Sequence, residues 1–226
     1  MIKNFKASVL ILVLICCFYS ADARSNDFRA RLSASAEAEI INDLSASVEV
    51  ETRFDKILTT YDRSLVEATL SYDIIKPLRF GVSGRFMHDM NDVRKFSTAY
   101  RASAYLRYKT SIDDFDLKIK TALQYGFDEL SSSFASGMNK LICRNSIGVD
   151  YNWFGTRFTP FAEYEFFYHI NNTNGGIINQ SRIKGGISYK INKPSEISVF
   201  YMFENEFNVA WPVDSHILGF SYNYKF

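Results

Sequence analysis

RIKGGISYKI, residues 182–191, separates by parity into two unlike sets of side chains. Ile183, Gly185, Ile187, Tyr189 and Ile191 fall on one, and Arg182, Lys184, Gly186, Ser188 and Lys190 on the other. Successive side chains of a β-strand point to opposite faces, so this stretch is a strand with one apolar and one charged face. The charged face does not suit the inside of a soluble sandwich. The apolar face has no second sheet or helix in the sequence to pack against.

The same alternation recurs from end to end. LSASVEVETRFD (44–55) sets Leu44, Ala46, Val48, Val50, Thr52 and Phe54 against Ser45, Ser47, Glu49, Glu51, Arg53 and Asp55. FDLKIKTALQYGF (115–127) repeats the pattern with Leu117, Ile119 and Leu123 against Asp116, Lys118 and Lys120. Comparable runs occupy residues 28–41, 62–75, 78–89, 96–111, 140–153, 156–169, 179–191, 195–207 and 214–226. Strands of this length, rising about 3.3 Å per residue and tilted by about 40°, cross a hydrocarbon layer. Lipid covers the apolar face, and closure into a barrel satisfies every backbone group. The sequence therefore predicts an all-β, transmembrane, antiparallel up-and-down β-barrel of about ten to twelve strands over residues 24–226.

Short and long connections alternate, as periplasmic turns and extracellular loops do. Asn42-Asp43, Lys76-Pro77, Asp113-Asp114, Gly155-Thr156 and Lys193-Pro194 read as tight turns, and HDMNDVRK, DELSSSFASGMNK, NNTNGGII and NVAWPVDS as long loops. Bacterial single-chain barrels have even strand numbers, whereas the runs form an odd set. Residues 28–41, with a mostly alanine outer face, are the run that breaks the even count: either they lie partly in the lumen or the barrel closes with ten or twelve strands.

Composition agrees with this class. The 226 residues are 47% apolar and include 20 Phe and 14 Tyr against 4 Pro and 2 Trp, a strand-former's set. Lys and Arg total 26 against 25 Asp and Glu, so the basic excess that nucleic-acid binding needs is missing. Lys3 and Lys6 precede an apolar run from Ala7 to Tyr19, too short to cross a membrane as a helix, and Ser20-Ala21-Asp22-Ala23 has the small residues of a cleavage site. Residues 1–23 read as a secretory signal peptide. Its removal takes Cys16 and Cys17 and leaves Cys143 alone, so no internal disulfide is expected.

In the final HILGFSYNYKF (216–226), Leu218, Phe220, Tyr222, Tyr224 and Phe226 share one face. An aromatic strand closing on a terminal Phe resembles the sorting signal read by the outer-membrane barrel assembly machinery. The succession TPFAEYEFFY (159–168), RIKGGISYKINK (182–193), ISVFYMFENEFN (197–208) and HILGFSYNYKF is similar to a family of short Bacteroidota outer-membrane barrels known only as a domain of unknown function. That resemblance implies the fold and the outer membrane of a Gram-negative bacterium, with no catalytic or ligand residues to carry over.

The inward parity concentrates charge. Acids Glu49, Glu51, Glu67 and Asp73 come first, then bases Arg79, Arg85, Arg101, Arg107, Lys109, Lys118, Lys120 and Arg144. Signs then alternate between strands, with Glu163 and Glu165 facing Arg182 and Lys184, which neighbour Glu204 and Glu206. Opposed charges on adjacent strands can pair. Paired charges, with inward Tyr105, Phe161, Phe167, Phe200 and Met202, predict a largely occluded lumen in a structural or interaction barrel. The competing reading is a narrow porin-like channel whose opposed acids and bases orient small polar solutes. A lipid-modifying hydrolase is the remote alternative, since His88 and His216 face outward near the loops but show no serine beside them in sequence. His169 faces inward above Glu163 and Glu165. Three scattered histidines and one cysteine have no metal-ligand spacing, so no enzyme activity, metal or cofactor is expected. The expected partners are outer-membrane lipid and the assembly machinery.

Overall fold

Each alternating run becomes one strand. A computed structural model describes residues 25–55, 60–90, 96–128, 140–172, 176–209 and 212–226. The expected signal peptide and most of the loop at 128–140 lie outside them. The strands are β1 (Ser25–Ile41), β2 (Leu44–Asp55), β3 (Thr60–Ile75), β4 (Leu78–Met90), β5 (Phe96–Ile112), β6 (Phe115–Asp128), β7 (Lys140–Tyr151), β8 (Phe158–His169), β9 (Ile177–Lys190), β10 (Ser195–Glu206) and β11 (Val213–Lys225). They form a closed barrel in chain order, each antiparallel to the next.

The closing pair differs from the expectation. β1 pairs with β11 in parallel, from Ser25 opposite Val213 to Glu37 opposite Lys225. The described residues thus form eleven strands, neither ten nor twelve, and residues 28–41 lie in the wall and not in the lumen. β1 runs from the loop end of the barrel to the turn end, as β11 does, so an odd count closes with one parallel contact. A parallel ladder still satisfies the backbone groups, which is all that the membrane demands. The Phe226 N–H continues this seam, donating to the Glu37 carbonyl at 2.9 Å.

Three tight turns fall at Asn42–Asp43, Lys76–Pro77 and Asp113–Asp114. Asp43 and Asp113 take φ of 66° and 50°, which aspartate tolerates because its carboxylate can bond the local backbone. The turns are laced to the next strand over: Asp73 N–H donates to Asp43 O at 2.8 Å, and Lys109 N–H to Pro77 O at 2.7 Å. The link at Gly155-Thr156 is wider than the sequence suggested. β7 stops at Tyr151 and β8 starts at Phe158, leaving 152–157 as a loop with Gly155 at φ 75°. Trp153 and Phe154 project from it, Phe154 almost fully exposed, as aromatics do at a membrane interface.

Ile183, Ile187, Val199, Leu218 and Phe220 are exposed on the outer face. The buried apolar groups instead point inward, in one cluster of Leu65, Met87 and Ala99 and another of Phe200, Met202 and Ile217 with Phe161 against it. Three of the inward aromatics, Tyr105, Phe161 and Phe200, lie beside glycines. Phe161 is opposite Gly186, Gly186 opposite Phe200, and Phe200 opposite Gly219, while Tyr105 is opposite Gly81. A glycine gives a neighbouring ring room to lie against the backbone.

A charge-lined lumen as candidate functional site

The interior holds a cavity of about 1470 Å³. Its lining runs from Asp62, Asp89 and Glu206 near the loops to Asp116, Glu196 and Asn223 near the turns. A side chamber of about 220 Å³ is lined by residues of β1 to β7. Every inward charge singled out in the sequence except Asp73 lines one or both, Arg79 and Arg107 only the smaller.

The register decides which of these charges meet. Glu165 stands opposite Arg182, and Arg182 opposite Glu204. Arg144 reaches Glu165 through Nε at 3.0 Å, Arg182 Nη1 lies 3.7 Å from the same carboxylate, and Arg182 Nε donates to Glu204. The result is one chain, Arg144, Glu165, Arg182, Glu204, across β7 to β10. The Phe167 ring lies under both guanidiniums, 4.5 Å from Arg182 and 5.5 Å from Arg144. Glu165 and Glu204 are both buried.

The other two glutamates of that group are placed differently. Glu163 meets Lys184 at 3.5 Å, and Lys184 also sits 5.0 Å from the Phe200 ring. Glu206 falls opposite Gln180, where the sequence had set it beside Arg182 and Lys184, and it accepts the Val213 N–H at 3.3 Å. Slant between neighbouring strands shifts each side chain relative to its sequence counterpart, and no local pattern encodes that shift.

On the first strands, Glu51 accepts Arg53 at 2.5 Å and lies 3.6 Å from Arg31. Arg85 donates to Glu67 at 2.6 Å, Arg79 is held by Asp73 and by Glu37 at 3.3 Å, and Lys118 pairs with Asp150. Glu49 stands directly opposite Glu67, Arg85 opposite Arg101, and Arg107 opposite both Arg79 and Lys120. Like charges thus face each other along this wall.

Several partners escaped the sequence reading. Arg29 bridges Asp27 at 2.8 Å and Asp55 at 3.0 Å, and Arg63 pairs with Asp89 at 2.5 Å. Arg29, Arg31 and Arg63 share the inward parity of their strands, which is the signal that marks them in the sequence.

The outward histidines sit near the loops. Ser64 stands directly across from His88, which corrects the reading that no serine neighbours it. The Ser64 hydroxyl, however, bonds to Thr52 at 3.1 Å, and His88 stacks on Phe96 at 4.5 Å between centroids. His216 Nδ1 lies 2.6 Å from the Tyr201 hydroxyl, and His169 lines the lumen. No cluster of three or more potential metal ligands occurs among the described residues. At the end of β11, Phe220 and Phe226 are exposed, the Tyr222 hydroxyl meets Ser195 Oγ at 3.2 Å, and Tyr224 packs edge-on to Phe226 at 4.7 Å.

No curated protein matches the sequence. Among solved structures, the chain is similar to the β domain of the Bordetella autotransporter BrkA, at 8% identity over 81% of this chain and 82% of that one, with a TM-score of 0.50. It also aligns with the translocator domain of the autotransporter NalP from Neisseria meningitidis, at 9% identity over 79% and 74% with a TM-score of 0.47, and with outer-membrane expressed OmpT of Vibrio cholerae, at 12% over 72% and 54% with 0.39. The BrkA likeness is one of fold: this is the barrel of outer-membrane proteins of Gram-negative bacteria. Residues 28–211 match the protein family described as "Protein of unknown function (DUF2490)", and the chain belongs to that family.

Proposed function

We propose that the barrel is a narrow, charge-lined channel for small polar solutes. The observation that carries this reading is the cavity of about 1470 Å³, whose lining includes residues near both ends of the barrel. At about 30 Å³ per molecule it has room for tens of waters. Of the aromatic side chains expected to fill the bore, Tyr105, Phe161 and Phe200 lie beside glycines and Phe167 lies under the Arg182 and Arg144 guanidiniums, and the ion pairs run between neighbouring strands, an arrangement that favours an open column. Acids Glu49, Glu51 and Glu67 sit on β2 and β3 and bases Arg101, Arg107, Lys118 and Lys120 on β5 and β6, an asymmetry that would orient a solute in the bore. The expected leader, lipid around the apolar face and delivery by the assembly machinery through the Phe226 end belong to the same reading.

A second reading, a closed interaction barrel, draws on the chain from Arg144 to Glu204, which ties four strands together as a structural element would. Conductance of the refolded protein in a planar bilayer decides between them. The channel reading expects a small, steady, salt-dependent current. Absence of current would favour the closed barrel. The hydrolase alternative finds little support in a Ser64 hydroxyl engaged by Thr52 and a His88 ring stacked on Phe96.

A further inference from the structure

We infer that Arg107 and Lys120 form an anion-binding subsite in the side chamber of the lumen, taking the carboxylate or phosphate group of a small organic solute. The inference rests on the channel reading only in that the solute must reach the lumen. Arg107 on β5 and Lys120 on β6 are directly opposite each other, and Arg79 is directly opposite Arg107 on its other side. Like charges in opposed positions destabilise a sheet. Arg79 is relieved by Asp73 and Glu37. Among the described residues no carboxylate lies within ion-pair distance of Arg107 or Lys120. The Lys120 ammonium sits 4.3 Å from the centre of the Tyr105 ring, which stabilises the cation without neutralising it.

Both cations face the chamber of about 220 Å³. The other guanidiniums there, Arg85 and Arg144, already hold Glu67 and Glu165. An enclosed charge is ordinarily paired, and here the missing partner is an oxyanion. The guanidinium of Arg107 can bind both oxygens of a carboxylate or phosphate, with the Lys120 ammonium as a point charge beside it. Ser103, Gln124 and Ser146 line the same chamber and supply neutral donors. The volume admits a solute of a few carbons and excludes an oligosaccharide. Glu49, which faces Glu67 directly and forms no ion pair with a described residue, lines the opposite wall. Its charge repels an anion and so weakens the subsite.

The test is calorimetric titration of the refolded full-length protein in detergent micelles with inorganic phosphate and, separately, acetate. Saturable binding of at least one is expected, and the stronger of the two identifies the oxyanion. Arg107→Gln with Lys120→Gln should weaken it by about tenfold or more, and Glu49→Gln should tighten it severalfold, whereas Lys193→Gln, in the link between β9 and β10 and outside both cavity linings, should leave it unchanged. Heat-modifiable gel mobility checks that each variant is folded. Should the double variant fail to fold, Glu49→Gln alone carries the test, because loss of a repelling charge gives a gain that misfolding would not. No saturable binding, or unchanged affinity in a folded double variant or in Glu49→Gln, overturns the subsite. Binding without conductance sinks only the channel reading, and conductance without binding sinks only this inference.

Discussion

Phe200 covers Gly219. The two stand opposite each other in the β10 to β11 ladder, and a Cβ added to Gly219 would come within 2.0 Å of the ring's Cζ. On the other side of Phe200, a Cβ on Gly186 would lie 2.4 Å from the Val199 carbonyl oxygen.

These two glycines should respond differently to alanine. At Gly219 the obstacle is the far end of a side chain, so the ring can swing into the lumen, with little loss of stability and a smaller single-channel current. At Gly186 the obstacle is backbone, and overpacking there should cost about 1 to 3 kcal/mol. Urea unfolding and bilayer recordings on both variants check this; equal stability losses would contradict it.

Among the lumen glutamates, Glu165 and Glu204 should matter most. Changing either to Gln leaves a partly buried guanidinium short of its counter-charge, a loss of about 1 to 3 kcal/mol, below that of a fully buried pair. Glu163→Gln releases only a half-exposed lysine at 3.5 Å and should cost about 1 kcal/mol or less. Unfolding midpoints in urea that fall in any other order would count against the network.

The parallel seam can be trapped chemically. Ser33 and Ser221 are paired inward positions on β1 and β11, within the Cα separation that a disulfide spans. In a Cys143→Ser background, Ser33→Cys with Ser221→Cys should crosslink on mild oxidation, while Ser33→Cys with Ser198→Cys, one strand further round, should not. Failure of the first pair to link would argue that β1 is not in the wall.

The two faces predict opposite tolerances at neighbouring positions. Ile187→Arg places a charge in lipid and should cost about 2 to 4 kcal/mol near mid-membrane. Ser188, whose hydroxyl meets that of Ser198 at 2.8 Å, faces the lumen, and Ser188→Arg should be far milder. Similar unfolding curves for the two would refute the assignment of faces.

Deleting Phe226 removes an exposed ring and the seam bond to Glu37. The amount of folded, heat-modifiable protein in outer-membrane fractions should fall, with export across the inner membrane unchanged. Undiminished assembly would dismiss the terminal ring as a recognition element.

What could be read from the sequence was what repeats locally. Parity alone assigned Ile187 to lipid and Arg182 to the lumen, and turn chemistry placed Asn42-Asp43 and Asp113-Asp114, because each depends on a residue and its near neighbours. What escaped depends on register between strands. Nothing in β1 states that Ser33 will meet Ser221, since closure follows from how the whole sheet slants around the axis. The same is true of Phe200, which parity places inward but whose neighbours Gly186 and Gly219 are set by register alone. Glu206 was grouped with Glu204 by spacing, yet the ladder turned it toward Gln180.

An odd number of crossings gives the wall a handed pair of ends. Ser25 lies at the rim that carries the loops and Lys225 at the rim that carries the turns. An epitope fused just ahead of β1 and another fused after β11 would therefore be presented to opposite compartments. A circularly permuted gene could not reconnect these termini with a short linker, because the peptide would have to travel the length of the bore.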